Sequence, residues 1–213
     1  MKPEPAPLLV AIVGGSGAGK SWLADQLQAI LGKKAARLSL DDFYLDRSHL
    51  PPGRRARINY DHPRAIDWKC VEQVLRDCLA GRMTRVPRYD FATHSRRPDA
   101  QILPPKPVIL MDGLWLLRRP ALRRMFALTI FIDCPARTRL DRRLARDTES
   151  RGRSRASVRR QFAECVEPMH ELYVSPQARW ARVRLRIPIK KSDLRRLAKE
   201  LAIDCDDPGQ RTI

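Results

Sequence analysis

The sequence has no long hydrophobic run and no paired-cysteine pattern. None of its 213 residues lies in a stretch that approaches the about 20 uninterrupted apolar residues of a membrane-spanning helix. The first apolar segment, residues 8–13, ends in glycines instead of a small-residue cleavage site, so we expect no secretory signal. The five cysteines show no C-x-x-C spacing, which argues against a disulfide framework or a zinc site. We therefore expect a soluble cytoplasmic protein with reduced thiols and no membrane partner.

Acidic residues are scarce relative to basic ones. Lys and Arg number 42 against 24 Asp and Glu, which gives a formal net charge of +18. A basic balance of this size is typical of proteins that bind nucleic acid or another anionic surface. Much of the excess lies between residues 118 and 160, where the aromatic side chains that stack on single-stranded bases are few. Composition leaves two interpretations open, which are a nucleic-acid face and a phosphate-handling lid in a generally arginine-rich chain.

The hydrophobic pattern predicts strands that alternate with helices. Apolar runs predict strands at 8–13, 36–40, 108–111 and 128–132, and alternation predicts a last strand at 183–189. Helical spacing predicts a long arginine-rich helix from 136 to about 173 and a final helix that starts at 192 or 193. Residues 84–107 predict a small hairpin excursion. This alternation indicates an α/β domain over residues 1–213, a doubly wound parallel sheet with helices on both faces.

A glycine-rich segment stands between the first predicted strand and the first predicted helix. It consists of Gly14, Gly15, Ser16, Gly17, Ala18, Gly19, Lys20 and Ser21 and matches G-x-x-x-x-G-K-[ST], the P-loop motif. Glycines allow successive backbone N–H groups to point at a β-phosphate. We expect Lys20 to bridge the β- and γ-phosphates and the Ser21 hydroxyl to bind Mg²⁺. The segment predicts a P-loop NTPase fold that uses ATP or GTP with Mg²⁺.

Acidic residues follow three of the predicted strands, and they suggest a reaction. The Asn-Lys-x-Asp motif with which GTPases recognise guanine is absent. Ligands of doubly wound sheets lie outside the carboxyl ends of the strands, which is where Asp41, Asp112 and Asp133 fall. There one carboxylate can take a proton from an attacking hydroxyl, and another can orient water on Mg²⁺. We favour Asp41 as base and Asp112 at the metal, because we expect their strands to flank the P-loop strand. For Asp133 a cap or turn role is an equal alternative.

Further segments carry a resemblance to one family. They read Asp41-Asp42-Phe43-Tyr44, Asn59-Tyr60-Asp61-His62-Pro63, Pro87 to Arg96, and Arg146 to Arg153, followed by Gln161 and Pro168-Met169-His170. With the P-loop, in this order, they resemble the uridine/cytidine kinase family of the phosphoribulokinase/uridine kinase group, over about residues 8–190. The resemblance implies a kinase that transfers the terminal phosphate of ATP or GTP to the 5′-hydroxyl of uridine or cytidine.

The resemblance also implies a role for each matching residue. Asp41 would be the general base, with Lys20 and Arg146 as further catalytic residues, and Asp61 would hold the ribose hydroxyls with help from Arg143 and Gln161. The remaining residues that it implies form two groups, which are the walls of the base pocket, Tyr44, Tyr60, Tyr89, Phe91 and His94, and the phosphate-closing arginines, Arg146, Arg151 and Arg153. Residues 84–107 would form a substrate flap, and about 142–160 an arginine-bearing helical lid. We expect a homo-oligomer whose partner is a small molecule and not nucleic acid.

The sequence departs from the resembled family at several positions. Asp112 stands where that family usually has Glu, Arg64 replaces an acidic residue, and Ile66 replaces an aromatic one. These changes leave phosphoryl transfer little affected and put pyrimidine specificity in question. The alternative acceptors are a riboside vitamin, pantothenate or a phosphosugar. From a different class, the alternative is a nucleic-acid-binding ATPase that uses the basic surface.

Overall fold

The computed structural model describes residues 6–55 and 57–206, with the backbone alone at residues 150, 151 and 203–206. The strands are β1 (Leu8–Gly14), β2 (Ala35–Ser39), β3 (Thr84–Val86), β4 (Tyr89–Asp90), β5 (Ser95–Arg96), β6 (Gln101–Leu103), β7 (Val108–Gly113), β8 (Leu128–Asp133) and β9 (Val183–Arg186). The α-helices are α1 (Lys20–Leu31), α2 (Pro52–Arg55), α3 (Trp68–Leu79), α4 (Pro120–Arg123), α5 (Ala136–Arg151), α6 (Arg155–Gln161), α7 (Glu167–Met169) and α8 (Lys191–Asp206). Among these helices none is long and apolar enough to cross a membrane.

Five strands form one parallel sheet in the order β2-β7-β1-β8-β9. The central strand β1 is buried along its whole length, because helices cover both faces of the sheet. On one face the apolar side of α3 packs with Leu9, Ala11 and Val13. On the other face α1 and α8 pack with the alternate side chains of β1. The predicted doubly wound α/β architecture is therefore confirmed.

One prediction about strand order is wrong. We expected β2 and β7 to flank the P-loop strand, but β7 and β8 do so, and β2 lies outside β7. Strand β7 lies beside β1, and its apolar run is buried on both faces of the sheet. Strand β2 lies at the edge. Parallel strands still end on the same side of the sheet, so the residues after β2 lie near the P-loop nonetheless.

The predicted hairpin excursion is a double hairpin. Strand β3 pairs with β6, and β4 pairs with β5 nearer to its tip, both antiparallel. Arg96 anchors it to the domain, since its Nε donates to Tyr44 O at 2.9 Å and its guanidinium pairs with Asp67 at 3.1 Å. In addition, the Tyr89 N–H donates to the Asp42 carboxylate at 3.3 Å. These contacts hold the hairpin against the end of β2.

The long helix predicted from 136 to about 173 is interrupted. Helix α5 ends at Gly152, whose φ of 60° is left-handed, a conformation that glycine adopts without cost. Ser154 then caps α6 by accepting a hydrogen bond from the Ser157 N–H at 3.2 Å. Beyond α6 the chain stays helical to Trp180, with π-helical turns at Phe162–Val166 and His170–Val174. After the break, α6 packs against α5.

Asp67 offers a test of how the double hairpin is anchored to the domain. Its carboxylate caps α3 by accepting a hydrogen bond from the Cys70 N–H at 3.1 Å, and it also pairs with Arg96 of the hairpin. We expect Asp67→Ala, which removes both contacts, to lower the free energy of unfolding by about 1–2 kcal/mol. Asp67→Asn keeps a capping oxygen and loses only the charge pair, so it should lose ~0.2–1 kcal/mol. Urea denaturation compares the two variants. Equal losses would mean that the cap contributes little.

Candidate active site

The P-loop connects β1 to α1 with the geometry of a phosphate cradle. Gly17 and Gly19 have φ values of 82° and 99°, which are left-handed conformations that side chains with a Cβ rarely adopt. The Lys20 side chain is half-buried, and its ammonium donates to Gly15 O at 2.9 Å. Burial lowers the pKa of Lys20, and the carboxylates of Asp112 and Asp41 oppose that shift. The predicted P-loop lysine therefore faces both favoured carboxylates.

The two residues predicted to hold Mg²⁺ are in contact. Ser21 Oγ donates to Asp112 Oδ2 at 2.9 Å, at the carboxyl end of β7. A hydroxyl and a carboxylate are the oxygen ligands that Mg²⁺ prefers, and the ion commonly takes only one or two carboxylates beside substrate phosphates. Within the described ranges no cluster of three or more His, Cys, Asp or Glu side chains offers a metal site. The Ser21–Asp112 pair therefore fits Mg²⁺ bound together with a nucleotide.

An arginine that the sequence analysis did not single out holds the other oxygen of Asp112. Arg37 Nε donates to Asp112 Oδ1 at 3.1 Å, and its NH1 pairs with Asp25 Oδ1 at 2.6 Å. Arg37 lies within β2, where a charged residue in a strand gives only a weak signal. Its guanidinium fixes the orientation of the Asp112 carboxylate toward Ser21.

The third strand-end carboxylate lies outside the site. Asp133 has a side chain that is 61% exposed, and it is 3.7 Å from the exposed Arg186 guanidinium. Asp41, in contrast, begins the turn after β2, where its N–H donates to Ser39 Oγ at 3.3 Å. Of the three strand-end acids, the charges of Asp41 and Asp112 act on Lys20, whereas Asp133 pairs with Arg186 of β9 at the surface.

Arg143 brings together the residues predicted to bind the sugar. Its side chain is only 6% exposed, and its NH1 lies 4.0 Å from Asp61 Oδ1. The same guanidinium donates to Ser16 Oγ at 2.8 Å and to Gln161 Oε1 at 3.0 Å. Asp61, Arg143 and Gln161 therefore form one cluster beside the P-loop.

The five predicted pocket aromatics also form a cluster. Its ring pairs are Tyr44–Tyr60 at 5.4 Å, Tyr44–Tyr89 at 5.0 Å, Tyr89–Phe91 at 5.4 Å and Tyr60–His94, stacked at 4.7 Å. Tyr44 is tied to the Asp61 loop, since its hydroxyl donates to Tyr60 O at 3.0 Å. Burial raises the pKa of Tyr44 and of Tyr89, so both hydroxyls stay protonated. Phe91 is 38% exposed and His94 has a φ of 51° at the hairpin tip.

The predicted lid arginines take different positions. Arg146 is partly exposed, and its Nε donates to Asp147 at 2.8 Å, while its charge acts on Lys20. Arg153 donates to Gln161 and, at 3.0 Å, to Ser157 Oγ. The side chain of Arg151 lies outside the described residues. Arg142, which the sequence analysis did not select, donates to Gly17 O at 3.3 Å and to Ala18 O at 3.2 Å.

Two further residues, to which the sequence analysis gave no role in the site, lie against the P-loop. Arg139 is 2% exposed and pairs with Glu167 at 2.8 Å. His170 is half-buried beside Gly15. The sequence signal that could have found Arg139 is its four-residue spacing from Arg143, which puts both on one face of α5.

Comparison with known proteins agrees with this geometry. The family model described as Phosphoribulokinase / Uridine kinase family matches residues 9–190. Uridine kinase from Chloroflexus aurantiacus is 39% identical over 178 residues, 83% of this chain and 85% of that one. Uridine kinase from Brevibacillus brevis is 36% identical and covers 83% of each chain. The structure of phosphoribulokinase from Rhodobacter spheroides has a TM-score of 0.64 at 16% identity, over 85% of this chain and 70% of that one.

Gly15 provides a test of the cradle. A methyl group on Gly15 would lie 2.7 Å from Arg139 Cδ and 2.8 Å from His170 Nδ1, closer than such atoms approach. Overpacking of this kind costs about 1–3 kcal/mol, so Gly15→Ala should weaken binding of a non-hydrolysable ATP analogue roughly tenfold or more. Calorimetric titration measures this. Gly53→Ala is the matched control, because a Cβ there meets no atom within 4 Å. Unchanged affinity in Gly15→Ala would contradict the packing argument.

Proposed function

This chain belongs to the phosphoribulokinase/uridine kinase family, and we propose that it phosphorylates the 5′-hydroxyl of a pyrimidine ribonucleoside, uridine or cytidine. The family and its kinase relatives make the chain an ATP-dependent small-molecule kinase. The observation that carries the nucleoside proposal is the aromatic cluster of Tyr44, Tyr60, Tyr89, Phe91 and His94 beside Asp61. A group of aromatic rings next to a carboxylate suits a planar base joined to a sugar with two adjacent hydroxyls.

In this proposal the P-loop backbone and Lys20 bind the triphosphate, which would be ATP or GTP. Ser21 and Asp112 would hold Mg²⁺, which supplies charge stabilisation on the phosphate oxygens when it is bound. Asp41 takes the proton from the attacking hydroxyl, because it faces Lys20 from the end of β2. Arg146, with Arg151 and Arg153, adds fixed positive charge where negative charge spreads in the transition state.

The residues that would bind the acceptor form the cluster around Arg143. Asp61 accepts hydrogen bonds from the ribose 2′- and 3′-hydroxyls, and Arg143, which itself donates to Gln161, holds it in place. The stacked Tyr60–His94 pair and the tip of the double hairpin would close over the base. The left-handed conformation of His94 is rare for a residue with a side chain, and it directs the imidazole onto Tyr60.

Internal contacts of the arginines favour a small-molecule acceptor over nucleic acid. Many guanidiniums are engaged within the protein, by carboxylates at Arg37, Arg96, Arg139 and Arg143 and by aromatic faces at Arg118, Arg119, Arg123 and Arg179. Part of the +18 charge thus serves folding and the site. The proposal includes a cytoplasmic location and a homo-oligomeric assembly. An ADP-release screen over nucleosides, riboside vitamins, pantothenate and phosphosugars decides the acceptor.

The base assignment predicts the behaviour of Asp41→Asn. The amide keeps the shape of the side chain and cannot take the proton, and a positioned base contributes roughly a hundredfold to ten-thousandfold. We expect kcat to fall by that factor while the affinity for uridine stays near that of the unaltered enzyme. Steady-state kinetics and direct uridine binding measure the two quantities. A fall in kcat of less than about tenfold would remove Asp41 from the mechanism.

The ribose assignment predicts discrimination against deoxyribonucleosides. A hydrogen bond to a charged group contributes roughly 1.5–3 kcal/mol, so deoxyuridine should show kcat/KM roughly tenfold or more below uridine. Asp61→Ala should erase this difference if the carboxylate binds the hydroxyls. It should lower both activities alike if Asp61 only shapes its loop. Equal use of uridine and deoxyuridine by the unaltered enzyme, or no use of any nucleoside, would overturn the nucleoside proposal and leave the kinase.

A further inference from the structure

His170 lies at the junction of the P-loop and the acceptor site, and the mechanism above gives it no role. It begins the π-helical turn His170–Val174. Its Nδ1 is 2.8 Å from the position that a Cβ of Gly15 would take. The imidazole also lines a cavity of about 10 Å³ together with Ser16 and Asp61. A cavity of this size holds about one water, so a single oxygen atom fits between His170 and these two residues.

The Nδ1 atom of His170 is buried and has no hydrogen-bond partner among residues 6–55 and 57–206. The carbonyl of Gly15, the loop residue beside His170, already receives hydrogen bonds from Lys20 Nζ at 2.9 Å and from the Ala18 N–H at 3.0 Å. A buried polar atom without a partner destabilises the folded protein, since it has lost its hydrogen bonds to water. Such an atom in a binding site is explained most simply if its partner arrives with the ligand.

A neutral His170 whose Nδ1 carries the proton needs a hydrogen-bond acceptor as its partner. Burial, Arg139 and Lys20 lower the pKa of His170 to about 4, so the ring is neutral at physiological pH and carries one N–H. Both charged neighbours are donors, and neither forms a hydrogen bond with Nδ1. The oxygens that a nucleotide brings to a P-loop belong to phosphates, which accept hydrogen bonds. A phosphate oxygen therefore pairs with the Nδ1–H tautomer.

We propose that His170 is a further catalytic residue, whose Nδ1–H donates a hydrogen bond to an oxygen of the phosphoryl group in transfer. The histidine exchanges no proton and forms no bond to phosphorus. It adds a fixed donor at the place where negative charge spreads between donor and acceptor. The inference rests on the P-loop as the triphosphate site and is independent of which alcohol accepts the phosphate.

Three substitutions separate this role from a role in packing. His170→Asn places an amide near the position of Nδ1, His170→Gln places one near Nε2, and His170→Phe keeps the ring without a polar atom. The kcat of each variant is measured first. If the ADP-release screen finds no acceptor, ATP hydrolysis serves as the reaction. Each is also measured by binding of MgADP alone and of MgADP with tetrafluoroaluminate, which occupies the place of the transferred group. His49→Phe, at an exposed position, is the control.

We expect His170→Phe and His170→Gln to lose roughly a hundredfold in kcat and in affinity for the tetrafluoroaluminate complex. His170→Asn should stay within about tenfold of the unaltered enzyme, and MgADP alone should bind all variants equally. Near-normal kcat in His170→Phe would overturn the proposal. So would an equal loss of MgADP affinity in all three variants, because that result would mean that His170 only supports the loop. Failure of the nucleoside proposal would leave these measurements unaffected.

Discussion

The buried guanidinium of Arg143 fixes the relative positions of three parts of the site. It donates hydrogen bonds to Ser16 of the P-loop and to Gln161 at the end of α6, and it forms ion pairs with Asp147 at 3.3 Å, one turn along α5, and with Asp61 at 4.0 Å. A buried charge costs several kcal/mol unless carboxylates and acceptors surround it. Because the guanidinium is planar and rigid, its partners must take positions that its plane dictates. Arg143 thus fixes the positions of the P-loop, the loop that carries Asp61, and helices α5 and α6 relative to one another.

The P-loop glycines allow α5 to pack closely on the loop, in addition to allowing a phosphate to approach it. A Cβ on Gly17 would lie 2.5 Å from Arg139 O, and one on Gly15 would meet the Arg139 side chain. Helix α5 therefore packs its backbone and its charged face directly on the loop. The same absence of side chains that lets backbone N–H groups approach a phosphate lets α5 approach the loop from the other side. Arg142 uses this proximity, since it donates to two P-loop carbonyls.

The double hairpin is held by polar anchors at its base and presents aromatic rings toward its tip. Arg96 and Asp42 connect its strands to the end of β2, whereas Phe91 and His94 lie beyond the last paired strands. Fixed anchors set the distance between the rings and the P-loop. In the proposed function the tip would select the acceptor, while the sheet and α5 would carry phosphoryl transfer. Such a separation would let one fold serve different alcohols.

The sequence by itself determined the P-loop, the α/β alternation, the acids at the strand ends and the aromatic residues of the hairpin, because each is a local pattern with a short-range physical cause. Tertiary structure decided the strand order, which put β7 and not β2 beside β1. It also decided that Asp133 faces solvent and that Arg37 holds Asp112. Arg139 lies on a charged stripe of α5 that the sequence pattern assigns to solvent. Only the folded chain shows that this stripe is buried, because the charges that neutralise it and the glycines that make room for it come from distant segments.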